Sequence, residues 1–146
     1  MHESLKPFVI GIDHVGVAVP DLDAAIAFYR DVLGFELAHV EVNDEQGTRE
    51  AMMRAPGDDG RGSAVQLLAP LSPDSTIGKF LDRNGPGVQQ VAFRVTDVAA
   101  AAEVLRGKGL RVLYDRARAG TEHSLVNFVH PKDTGGVLIE LVEPGS

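Results

Sequence analysis

The chain contains a second copy of its own opening. The segment IDHVGVAVPDLDAAIAFYRDVLGFEL (12–37) lies over VQQVAFRVTDVAAAAEVLRGKGLRVL (88–113) at an offset of 76 residues. A duplication restricts the fold more than any local motif, because two similar units must then solve similar packing problems. Each copy begins with an alternating strand pattern, at 14–19 and 90–95, that ends at Pro20-Asp21 or Thr96-Asp97. A helical period follows. Leu22, Ala25, Ile26 and Tyr29 match Val98, Ala101, Ala102 and Leu105 at spacing i, i+3, i+4, i+7. Asp21 and Asp97 stand where a carboxylate can accept from the first free N–H groups of a helix. Gly34 and Gly109 are the expected helix stops, one residue out of strict register.

The ends of the halves match as well, QLLAP (66–70) over ELVEP (140–144) at an offset of 74. Further strands are predicted at 36–43, 50–55 and 64–69 in the first half and at 110–114, 125–129 and 137–142 in the second. SPDSTIGKFLDRNGPG (72–87) reads as a short helix between turns. The fold class is therefore α+β, built from tandem β-α-β-β-β modules. Module one covers about 10–70, a connecting segment 71–87 and module two about 88–144, within a single domain over 1–146.

The duplication also aligns four polar residues. His14 and Gln90 open equivalent first strands, while Gln66 and Glu140 sit at equivalent places in the last ones. If the modules pack with pseudo-twofold symmetry, all four converge. Gln89 then points to the opposite face, because side chains alternate along a strand. Glu140 lies among Val137, Leu138, Ile139, Leu141 and Val142, where an ionised carboxylate needs compensation. A divalent cation would supply it, as would an Arg or Lys partner. One imidazole with oxygen donors suits manganese, cobalt, nickel, zinc or magnesium.

Composition narrows the partners. A net charge of −7 argues against nucleic acid, and no apolar run approaches the roughly 18 residues that span a bilayer. The start MHESLKPFVIG lacks the pattern of a secretory signal, and the absence of cysteine fits a reducing cytoplasm. VEVNDEQ (40–46) and APGDDGRG (55–62) read as solvated turns, and Arg116, Arg118 and Lys132 as surface cations.

These features resemble the vicinal oxygen chelate superfamily, the glyoxalase-like fold, and within it the methylmalonyl-CoA epimerases. EQGTRE, QLLAPL with DSTIGKFL, and HPKDTGGVLIEL carry the likeness, which covers nearly the whole chain. The resemblance implies metal ligands His14, Gln66, Gln90 and Glu140. Gln90 departs from the family pattern, which usually has a His there; its amide oxygen is a weaker donor, or a water bridges it to the metal. His123 is a third candidate, and His130 is read as shaping the turn before the last strand. The implied acid–base pair is Glu50 and Glu140. Cobalt is the first expected metal, the substrate an acyl-CoA thioester, and the assembly a homodimer in the cytoplasm, with no nucleic acid or membrane partner. Two rival readings remain: a glyoxalase I-like metal lyase, and a metal-free binding module to which the loss of an imidazole at Gln90 would correspond.

Overall fold

The computed structural model describes residues 3–145. The chain divides into two compact units, His14–Gln89 and the chain up to Asp13 together with that from Gln90 onward. In order, the elements are β1 (Val9–Ala18), α1 (Leu22–Ala27), β2 (Glu36–Asn43), β3 (Thr48–Arg54), β4 (Ala64–Pro70), α2 (Thr76–Asn84), β5 (Gly87–Val95), α3 (Val98–Gly107), β6 (Arg118–Ala119), β7 (Leu125–Val129) and β8 (Leu138–Glu143). Among the described residues no helix is long and apolar enough to cross a membrane.

In the unit His14–Gln89 the strand order is β2-β3-β4-β1. β1 runs parallel to β4, and the other pairs are antiparallel. Asp21 caps α1 by accepting from the Ala24 amide at 3.1 Å. Leu22 and Ile26, one helical turn apart, are buried against Ala51, Met53, Leu67 and Ala69 on one face of the sheet. Each such aliphatic side chain contributes about 1.5–3 kcal/mol on full burial. α2 covers part of the other face, where Ile77 meets Ala18 and Leu68.

The second unit repeats this plan as β5-β8-β7-β6, with β5 parallel to β8. Asp97 caps α3 through the Ala100 amide at 3.0 Å. Val98 and Ala101 pack on Val95 and Leu141. The expected stops hold: Gly34 and Gly109 have φ of 79° and 84°, a region that glycine enters without steric cost. Their one-residue mismatch also has a cause. In the first module the helix continues through a π turn, Phe28–Val32, which takes up one more residue than its α3 counterpart.

One expected strand is absent. Segment 110–114 forms only an isolated bridge, Val112 with Val129, and β6 has two residues. The reason is Asn127, 1% exposed. Its Oδ1 accepts from the Tyr114 amide at 3.1 Å, and its Nδ2 donates to the Tyr114 carbonyl at 3.0 Å. Backbone bonds from Leu113 to Phe128 and from His130 to Arg111 remain, and at Tyr114 a side chain takes the place of the next rung. The corresponding residue of module one is Ala51, which has no such group and leaves β2 to pair with β3 from Glu36 to Asn43, with one register shift between Leu37 and His39.

Candidate functional site

The two modules use one register. In the unit His14–Gln89, His14 pairs with Ala64 and Gly16 with Gln66, so His14 and Gln66 share a sheet face one diagonal step apart. In the other unit, Gln90 pairs with Leu138 and Ala92 with Glu140, which gives the same step. The equivalence inferred from the duplication, His14 with Gln90 and Gln66 with Glu140, is therefore present in the strand pairing. All four side chains are buried, between 3% and 7% exposed. Gln90 is the buried glutamine of its pair, and Gln89 is only half-buried.

β3 adds Glu50 to the first of these faces. It lies two residues from Met52, which pairs with Gln66. The Gln66 Nε2 donates to Glu50 Oε1 at 3.4 Å, and the Thr48 hydroxyl donates to Glu50 Oε2 at 2.9 Å. Thr48 lay outside the strand expected at 50–55, because the alternation begins two residues earlier than the sequence pattern suggested. The signal was present in Thr48, Glu50 and Met52 at period two. On the face of the other unit, Gln90 Nε2 donates to Glu140 Oε1 at 2.8 Å. Ala92 and Phe128 flank Glu140 on the adjacent strands, and Tyr114 packs edge-on against Phe128 at 5.8 Å.

Both glutamines direct the amide nitrogen at a carboxylate. The atom with which a glutamine binds a cation is the other end of that amide, Oε1. His14 and Gln66 offer an imidazole and an amide oxygen on one face, and Gln90 and Glu140 an amide oxygen and a carboxylate on the other, donors of the kind that divalent cations of the hard-to-borderline class take. Among the described residues no group of three or more His, Cys, Asp or Glu could hold a metal. Half of the candidate set is amide, so it falls outside that kind of cluster.

The other sequence candidates have their own settings, and of these Arg118 borders the Glu140 face through Tyr114 and Phe128. His123 is exposed and follows Glu122 in a left-handed turn, with φ of 55° at Glu122 and 64° at His123. His130 caps the turn Pro131–Asp133, its Nδ1 accepting from the Lys132 amide at 3.1 Å, as expected. Asp58, in the segment read as a solvated turn, accepts from Gly60 and Gly62 amides, and those bonds hold its carboxyl below the usual range. Arg116 and Lys132 are exposed, and the Arg118 guanidinium lies 3.9 Å above the Tyr114 ring.

A family model described as the Glyoxalase/Bleomycin resistance protein/Dioxygenase superfamily matches residues 11–141. Mitochondrial methylmalonyl-CoA epimerase of Mus musculus is 40% identical over 131 residues, 89% of this chain and 71% of that protein. The crystal structure of methylmalonyl-CoA epimerase from Mycobacterium tuberculosis superimposes with a TM-score of 0.90 at 53% identity, covering 100% of this chain and 93% of that one. A methylmalonyl-CoA epimerase in complex with methylmalonyl-CoA and ammonium gives 0.89 at 50% identity, covering 94% of this chain and 96% of that one.

Proposed function

Since the chain belongs to the glyoxalase/bleomycin resistance protein/dioxygenase superfamily, we propose that it interconverts the (R) and (S) forms of methylmalonyl-CoA. In this reading Glu50 and Glu140 exchange the α-proton, and His14, Gln66, Gln90 and Glu140 together hold a divalent metal, cobalt first. The proposed working form is a homodimer in the cytoplasm.

The α-carbon of the substrate lies between a thioester carbonyl and a carboxylate, so removing its proton leaves an enolate. A bound divalent cation supplies a Lewis acid for charge on those oxygens. The chain's own residues supply the proton chemistry. Inversion needs a proton taken from one face and returned to the other, most simply by one group on each side. Glu50 is a buried carboxylate that accepts from the Thr48 hydroxyl on one oxygen and from the Gln66 amide on the other, contacts that hold its direction. Glu140 serves the opposite face, directly or by orienting a water, because coordination lowers a carboxylate's basicity. The dry walls around it, Ala92 and Phe128, keep competing solvent away from a reactive carbanion.

One observation carries this reading: Glu50 is buried beside a candidate metal ligand, Gln66, in a chain half identical to an epimerase captured with methylmalonyl-CoA. The test is to incubate one diastereomer of methylmalonyl-CoA with metal-supplied protein in deuterium oxide. Deuterium at the α-carbon and a mixture of both diastereomers are expected; no exchange with metal present would overturn the activity. Metal analysis of protein purified without chelator, beside a His14→Ala variant, tests the ligand set, and equal contents would count against it.

A further inference from the structure

Thr48 is the first residue of β3 and is 3% exposed. Its Oγ1 donates to Glu50 Oε2 at 2.9 Å, while Gln66 Nε2 reaches Oε1 at 3.4 Å from the neighbouring strand. The shorter bond is the one from Thr48. A glutamate has three side-chain torsions, and holding it in one direction costs conformational entropy unless its carboxylate is tethered. A further force works against a fixed direction. Glu41 is the residue directly paired with Glu50 across β2, with Cβ atoms about 4.5–5.5 Å apart. Like charges directly opposite each other on neighbouring strands repel. His39 Nε2 draws Glu41 in its own direction at 3.0 Å, and Thr48 holds Glu50 from the other side.

Thr48 is itself set rigidly. It pairs with Pro70 of β4, and the carbonyl of the preceding Gly47 accepts from the Leu71 amide at 2.9 Å. A Cβ on Gly47 would meet the Cβ of Ser75, the residue that caps α2, at 3.0 Å. The hairpin tip is thus pressed against the start of that helix. A β-branched side chain on such backbone has few rotamers, so the hydroxyl is aimed before any ligand arrives.

We propose that Thr48 is a positioning residue that aims the Glu50 carboxylate at the substrate's α-carbon, an inference that rests on the reading of Glu50 as a base. A buried threonine also satisfies its hydroxyl in a purely structural role. The two roles separate because Glu50 serves only one face of the α-carbon. Loss of aim slows proton removal from the one diastereomer whose proton Glu50 takes, whereas a loosened fold slows both.

The experiment compares metal-supplied wild-type protein with Thr48→Val, Thr48→Ala, Thr48→Ser and Glu50→Gln. The readouts are initial α-proton exchange into deuterium oxide from each pure diastereomer and KM. Thr48→Val and Thr48→Ala are expected to slow exchange from one diastereomer by about tenfold to a hundredfold, the range of small misplacements of reacting groups. KM is expected to stay unchanged, and Thr48→Ser to recover most of the rate. If Val fails to fold, Ala gives the same reading with less bulk. Equal slowing of both diastereomers, no slowing, or a Ser variant no better than Ala would overturn the proposal, while a Glu50→Gln variant that loses exchange from that same diastereomer leaves the base assignment standing. Full exchange in Glu50→Gln would sink both.

Discussion

Replacing Asn127 by leucine removes a clasp from the second unit at nearly constant volume. Three bonds go: Oδ1 from the Tyr114 amide at 3.1 Å and from the Phe128 amide at 2.9 Å, and Nδ2 to the Tyr114 carbonyl at 3.0 Å. A buried backbone group left unpaired costs about 1–3 kcal/mol. Phe128 is buried and bears the full cost, whereas Tyr114 is half-buried and water can reach its groups in part. The expected loss is therefore about 3 kcal/mol rather than the sum of three full penalties. With an m-value of about 2 kcal/mol per molar urea, the midpoint should fall by about 1.5 M at unchanged m. Amide hydrogen exchange locates the effect: the Tyr114 amide should lose protection while Gly16 and Leu67, in the other unit, keep theirs. The near-ultraviolet circular dichroism should also fall, since the chain has two tyrosines and no tryptophan, and Tyr114 stacks edge-on with Phe128. A midpoint shift below about 0.3 M, or undiminished protection at Tyr114, would refute the idea that one side chain stands in for a strand here.

Asp133 receives three bonds from Arg111, at 2.8, 3.0 and 2.9 Å, which hold its carboxyl well below the usual range. Its pKa is lower folded than unfolded, so its stabilisation is fully present above about pH 4 and lost as pH falls toward the folded value. Acid titration of urea midpoints should show wild type losing stability over that window and Asp133→Asn losing less; parallel curves would refute the linkage. Gln90→His places an imidazole where the amide now lies, and divalent metal affinity measured by chelator competition should rise at least about tenfold, or 1.4 kcal/mol. Unchanged affinity would remove Gln90 from the ligand set.

The sequence disclosed what the duplication repeats and hid what each module does differently. Helix caps and stops were legible because Asp21 with Asp97 and Gly34 with Gly109 serve one physical need twice. The burial of His14, Gln66, Gln90 and Glu140 was legible for the same reason. The strand expected at 110–114 failed because it was carried over from its counterpart in module one, and the difference lies across the sheet at Asn127 rather than within the segment. No periodicity within 110–114 records a hydrogen bond from a neighbouring strand. Thr48 was missed more simply: its strand was begun two residues late.

The shared register also shows where the modules diverged, and that difference bears on the chemistry. Gln66 pairs with Met52, and Glu140 with Phe128; two rungs on, Leu68 pairs with Glu50 while Val142 pairs with Val126. Position by position, Glu50 corresponds to Val126, Thr48 to Ser124, and Gln66 to Glu140. Each module therefore carries one buried carboxylate on its polar face, on a different strand, and in each a glutamine amide donates to it. A strictly repeated pair would set two like groups in like surroundings. An epimerase has to act on two faces of a carbon whose substituents differ, so it needs two proton-exchanging groups that are alike in chemistry and unlike in placement. The two modules differ in that way: the last strand carries Gln66 in one and Glu140 in the other, and the first has Glu50 one strand away, which accords with the roles proposed for Glu50 and Glu140. Restoring symmetry should therefore cost activity, and Val126→Glu should also cost stability, because Val126 is buried among Ala92, Phe128 and Val142. A Val126→Glu substitution sets a second carboxylate on the Glu140 face, and a Glu50→Val substitution empties the first; on this argument neither can replace the pair that the unequal modules provide.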